Sequence, residues 1–104
     1  MKLTELALSG VFLIECEKIE DPRGYFSEIF RADLFEAAVG PIRFVQDNQS
    51  LSIQKGTIRG LHYQRAPRMQ GKLVRCNRGA ILDVAVDFRK GSPTFGQHVA
   101  VELS

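Results

Sequence analysis

Apolar and polar residues alternate over two stretches of this chain. Between positions 81 and 88, Leu82, Val84, Val86 and Phe88 alternate with Ile81, Asp83, Ala85 and Asp87, giving one greasy face and one that carries carboxylates. Between 97 and 103, Val99, Val101 and Leu103 share one face, while His98, Ala100 and Glu102 share the other. Both stretches predict strands. Residues 11–14 are apolar, and Tyr25, Phe26, Ile29 and Phe30 resume a strand-like composition after the turn signal Asp21-Pro22-Arg23-Gly24. Phe44-Val45 leads into Leu51 and Ile53 in the same character, and residues 72–76 form a shorter, mixed stretch. Only residues 32–39 set good helix formers in a row, and Gly40-Pro41 stops them, which predicts one short helix of about two turns. Many short strands separated by turns predict an all-β sandwich, jelly roll or barrel. With no linker, low-complexity tract or internal repeat, residues 1–104 read as a single domain.

Composition narrows the function classes. A chain of 104 residues with 44% apolar and 25% charged residues suits one globular domain. The net charge of +2 is too small for a phosphate-tracking surface, so nucleic acid is not an expected partner. No apolar run approaches the ~20 residues that cross a bilayer, so a membrane role is not expected either. Cys16 and Cys76 form no CxxC pair, and Met1-Lys2-Leu3-Thr4 does not open a signal peptide. Two buried, reduced thiols in a cytoplasmic protein are the expectation.

The densest polar cluster runs through Gln46-Asp47-Asn48-Gln49-Ser50, Arg59-Gly60-Leu61-His62-Tyr63-Gln64 and Gln70-Gly71-Lys72. It holds a base, a cation and a guanidinium. His62 titrates near neutrality and can remove a proton, Lys72 can stabilise an oxyanion, and the fork of Arg59 fits phosphate oxygens. Those are the parts needed to enolise a ketone that carries a phosphorylated group. A hairpin of 72–76 with 79–83 around an Asn77-Arg78 loop would set Lys72 opposite Asp83, although Asn-Arg is a weaker turn signal than Asn-Gly and one residue of slip breaks the register. Asp83 is then either a structurally paired core carboxylate or a tuner of Lys72. His98, with no motif around it, reads as structural. Arg65, Arg68, Arg75 and Arg78 read as a solvated basic rim.

At these residues a resemblance becomes specific. Phe44-Val45-Gln46-Asp47-Asn48, Arg59-Gly60-Leu61-His62-Tyr63-Gln64, Gln70-Gly71-Lys72-Leu73-Val74-Arg75, Asp83-Val84-Ala85-Val86-Asp87 and Ser92-Pro93-Thr94-Phe95-Gly96 resemble the dTDP-4-dehydrorhamnose 3,5-epimerase family, the sugar-nucleotide branch of the cupins. Asp21-Pro22-Arg23-Gly24-Tyr25-Phe26-Ser27-Glu28 resembles the family's early Arg-Gly-aromatic segment, so the likeness spans nearly the whole chain. It implies a cupin jelly roll, a homodimer, no metal or organic cofactor, and epimerisation at C3 and C5 of a dTDP-4-keto-6-deoxyhexose, as in rhamnose or deoxysugar biosynthesis. By the same resemblance His62 is the base and Lys72 stands near the C4 oxygen. Arg59, Gln46, Asn48, Arg23 and Glu28 hold the nucleotide part.

A metal cupin is disfavoured, because Gln64 stands where its first motif has a second histidine and no Glu follows before Gly71. The family's general-acid tyrosine, a second histidine and the aspartate that orients the catalytic histidine match no position here. The chain is therefore expected to be the N-terminal part of a longer domain, or a truncated product that cannot complete the proton relay. The alternatives are a non-catalytic dTDP-sugar binder and an epimerase of a single centre, C3 or C5.

Overall fold

A computed structural model describes residues 1–104. The chain divides into two compact units, one built from residues 1–41 together with 75–104, the other from residues 42–74. All regular structure lies in the first unit. It consists of β1 (Lys2–Glu5), β2 (Phe12–Glu15), β3 (Ile19–Asp21), β4 (Gly24–Phe26), α1 (Ala32–Val39), β5 (Ile81–Val86) and β6 (His98–Leu103).

The strands pair as three antiparallel hairpins. β1 and β2 set Leu3 opposite Ile14 and Thr4 opposite Leu13, with Lys2 and Glu15 forming an exposed ion pair of 3.8 Å. The turn between them is closed by Leu6 N–H donating to the Val11 carbonyl at 2.8 Å, and it carries Leu8, whose side chain is fully buried. β3 and β4 form a tight hairpin around the expected turn at Asp21-Pro22-Arg23-Gly24, with Asp21 opposite Gly24. Arg23 N–H donates to Asp21 Oδ1 at 2.8 Å, the Asx-type bond that makes aspartate a turn former. The apolar residues at 11–14 pair with β1, a strand that carries no strong pattern of its own.

Helix α1 occupies the predicted residues. Gly40 ends it at φ +104°, a conformation that side chains rarely adopt, and its N–H caps the Glu36 carbonyl at 2.9 Å. At the other end Asp33 sits in the first turn, favourable to the helix dipole, and pairs with Arg31. That guanidinium holds the Asp33 carboxyl down to about 2. Phe35 is the helix's buried anchor, packed against Phe30 with ring centroids 5.6 Å apart.

Three strand expectations are corrected. First, β5 ends at Val86, because Asp87 turns its carboxylate onto the following loop and takes no part in the alternation. Second, 72–76 forms no strand, and β5 pairs with β6, which puts Val101 rather than Lys72 opposite Asp83. Residues 44–53 likewise carry no strand. The physical reason is common to the last two: extended chain becomes a strand only when a neighbour receives its N–H and C=O groups, and these segments have no ladder partner within the chain. Val45, Ile53 and Ile58 are accordingly 85%, 90% and 92% exposed. Cys16 and Cys76 are free, as expected, but half-buried, with their sulfurs near the Ile29 and Arg78 carbonyls.

Because Phe35 is the one buried side chain of α1, Phe35→Ala should cost about 3 kcal/mol. The check is the shift of the urea midpoint against the parent chain.

Candidate functional site

In the unit of residues 42–74, the polar motifs lie on irregular chain held by short-range bonds. Thr57 N–H and its hydroxyl both reach the Gln54 carbonyl, at 3.4 and 2.7 Å, forming a tight turn before Arg59. Arg59 folds back from that turn: Nε donates to Ser52 Oγ at 3.0 Å and Nη2 to the Leu51 carbonyl at 2.9 Å. This fixes the guanidinium plane while leaving its other N–H donors for an anion. Gln46 Nε2 donates to Asn48 Oδ1 at 3.2 Å, so these two amides present themselves as a pair.

His62 follows Gly60, which adopts φ +116°. A Cβ at Gly60 would stand 3.6 Å from His62 N and 3.8 Å from its Nδ1, ordinary contact distances, so the glycine serves the bend through its φ and not by making space. Lys72 follows Gly71, where an added Cβ would stand 3.8 Å from two methyl carbons of Ile42, so the end of this unit returns to its start. Every residue from 42 to 74 is exposed, and no hydrogen bond joins His62 to Lys72. Both side chains therefore face solvent, available to a ligand. No group of three His, Cys, Asp or Glu side chains is gathered in a way that could hold a metal ion.

The remaining candidates belong to the other unit. Arg23 lies at the tip of the β3–β4 hairpin and is clamped by Asp21, with Nη2 to Oδ2 at 2.6 Å and Nε reaching both carboxylate oxygens. The pair raises the Arg23 guanidinium and lowers the Asp21 carboxyl relative to their ordinary values. Glu28 lies 3.9 Å from Arg31, a loose, half-exposed pair. Asp83 is half-buried on β5, on the strand face that also carries Ile81, Ala85, Val99, Val101 and Leu103. The observed register mixes the faces that each strand shows alone: greasy Leu82 stands opposite Glu102, and Val86 opposite His98.

Sequence reasoning missed one polar cluster, centred on Asp87. Its carboxylate is 4% exposed and gathers Arg89, Ser92 and Thr94. The signal available was the run Asp87-Phe88-Arg89-Lys90-Gly91-Ser92-Pro93-Thr94, whose small hydroxyls and turn residues suit closure around an acid.

The family model described as dTDP-4-dehydrorhamnose 3,5-epimerase matches residues 5–104. A dTDP-4-dehydrorhamnose 3,5-epimerase of Sinorhizobium fredii is 56% identical over 104 residues, covering all of this chain and 53% of the relative. A dTDP-4-dehydrorhamnose 3-epimerase of Streptomyces niveus is 45% identical over 97 residues, 92% of this chain and 46% of the relative. Among solved structures, the dTDP-6-deoxy-D-glucose-3,5-epimerase of Legionella pneumophila in complex with dTDP-4-keto-L-rhamnose superposes with a TM-score of 0.89 at 49% identity. That match covers 99% of this chain and 54% of the other. The chain thus spans about half the length of the relatives it matches. Its fold is the cupin jelly roll, of which residues 1–104 cover a part, with α1 as its short helix.

The Asp21–Arg23 clamp gives a pH expectation. A carboxyl whose folded value is depressed contributes stability above its unfolded value of about 3.9 and loses it as pH falls through the folded value. An NMR titration of the Asp21 carboxyl carbon should therefore show a midpoint below about 3.9 that returns to the ordinary value in Arg23→Ala.

Proposed function

This chain belongs to the dTDP-4-dehydrorhamnose 3,5-epimerase family, and from that premise we propose that it carries the base, the cation and the nucleotide-binding groups for epimerisation of a dTDP-4-keto-6-deoxyhexose. The carrying observation is the combination of an exposed His62 seated by Gly60 with an Arg59 guanidinium already oriented by Ser52 and Leu51. The complex of the Legionella relative with dTDP-4-keto-L-rhamnose supports the substrate class.

The chemistry follows from the ketone. A carbonyl at C4 acidifies the protons on C3 and C5, so one base can serve both carbons. His62 takes a proton from either, the electron pair moves into the carbonyl, and the enolate oxygen is stabilised by the Lys72 ammonium. Return of a proton to the opposite face inverts the centre. No residue of this chain is assigned as the donor. Arg59, with Gln46, Asn48, Arg23 and Glu28, positions the dTDP group, for which Arg23 exchanges its Asp21 partner for a phosphate oxygen. No metal or organic cofactor is required by this scheme.

The same reading includes a homodimer, supported by the exposed apolar side chains Ile19, Tyr25 and Phe26 on the β3–β4 hairpin, which leave that small sheet open to another chain. It also includes a cytoplasmic location, in keeping with two unpaired thiols. No helix is long and apolar enough to cross a membrane.

A second reading, epimerisation at one centre only, is favoured by the 3-epimerase relative of Streptomyces niveus. Solvent deuterium incorporation into dTDP-4-keto-6-deoxyglucose, read by NMR, separates the possibilities. Label should enter at C3 and C5, and His62→Ala should slow both by about a thousandfold with dTDP affinity little changed. Lys72→Ala should lower turnover more than nucleotide affinity. Label at one carbon favours the single-centre enzyme, while bound dTDP without label favours a binding protein. Undiminished exchange in His62→Ala would overturn the mechanism.

A further inference from the structure

The loop between β5 and β6, residues 87–97, has an unusual interior. Among its eleven positions only Asp87 is buried, while Ser92 and Thr94 are half-buried and the rest, Phe88 and Phe95 included, are exposed. The loop thus has no apolar core. Its centre is a carboxylate that accepts five hydrogen bonds: from Arg89 N–H at 2.9 Å and Nε at 3.0 Å on Oδ1, and from Arg89 Nη2 at 3.1 Å, Ser92 Oγ at 2.6 Å and Thr94 Oγ1 at 2.6 Å on Oδ2. Around it the backbone closes on itself. Asp87 N–H donates to the Gln97 carbonyl at 2.9 Å and Gly96 N–H to the Asp87 carbonyl at 2.8 Å, with shorter turns at Ser92, Phe95 and Gln97.

We propose that Asp87 is a latch: its carboxylate holds the 87–97 loop closed, and loss of that charge opens the loop while the β5–β6 ladder persists. The separation follows from where the bonds lie. The ladder runs from Ile81 opposite Leu103 to Val86 opposite His98 and uses none of the Asp87 side-chain bonds. Inside the loop, every donor to the carboxylate lies within seven residues of it. No apolar side chain of the loop is fully buried, and besides the carboxylate its hold includes the backbone hydrogen bonds that close it.

The latch is charged under ordinary conditions, because Arg89, Ser92 and Thr94 hold the carboxyl far below the usual carboxylate range. Arg89 is the cation that touches it. Lys90 and His98 are the other ionisable groups on the loop and at the start of β6, and both are exposed. On the β1–β2 turn, Gly10 lies near Arg89, with Nη1 3.9 Å from where its Cβ would stand, and the Glu5 carboxylate there is occupied by Gly10 N–H at 2.8 Å.

Native-state amide exchange on the whole chain tests it, through the Ser92, Phe95, Gly96 and Gln97 amides in the loop and those of residues 82–85 in the ladder. Asp87→Asn keeps the side-chain size and removes the charge. Loop exchange should speed up by about tenfold or more, the scale of one lost charge-assisted hydrogen bond, with the ladder amides within about twofold of the parent. Thr94→Val, which removes one donor at constant volume, should give a smaller acceleration confined to the same amides. It carries the test by the same criterion where Asp87→Asn yields no folded protein. Unchanged loop exchange, or equal acceleration of loop and ladder, would overturn the proposal.

Discussion

Backbone hydrogen bonding between antiparallel neighbours is the constraint on which the rest of this chain depends. Where a segment has a partner it becomes regular: β1 with β2, β3 with β4, β5 with β6. Where it has none, as at residues 44–53 and 72–76, apolar, β-branched sequence remains irregular and exposed. Hydrophobic content did not decide between these outcomes, since Val45 and Ile53 are as apolar as Leu3 and Ile14. The difference is whether a neighbouring strand takes up the N–H and C=O groups that a buried extended chain cannot leave unpaired.

With so few ladders, polar side chains take over the local shaping. Asp21 closes the β3–β4 turn through Arg23, Thr57 closes the turn before Arg59, and Asp87 organises an eleven-residue loop with no apolar interior. Each is an acceptor or donor a few residues from its partner, so ordering the bond fixes little additional chain. This economy also shapes the candidate site. Arg59 is oriented by a serine seven positions away and a carbonyl eight away, and His62 by the bend at Gly60. The orientation of the Arg59 guanidinium is thus set close in sequence to the motif that contains it.

The family likeness and the local geometry support one chemistry from different directions. The matched relatives act on nucleotide-linked keto sugars by name, and the chain presents an exposed imidazole, an exposed ammonium and an oriented guanidinium, the groups that proton abstraction beside a ketone and phosphate binding require. Arg23 shows where the two views add to each other: the motif marks it for an anion, while the structure shows a carboxylate already in that place. A phosphate that takes over the guanidinium must do so at the expense of the Asp21 pair, which is exposed and correspondingly weak.

Much was legible in the residues themselves. Helix formers ended by Gly40-Pro41 determined α1, because helix start and stop are local events. Alternation marked β5 and β6, and Asp-Pro-Arg-Gly marked the β3–β4 turn. The motifs around Arg59, His62 and Lys72 are the residues from which the proposed chemistry is built, since side-chain type and spacing suggest it. What only the tertiary structure decided is pairing: that β5 takes β6 and not 72–76, that Val101 and not Lys72 faces Asp83, and that Asp87 leaves its strand to become the centre of a loop. Alternation in one strand states which residues share a face but not which strand lies alongside, because the partner is chosen by contacts between residues far apart in sequence.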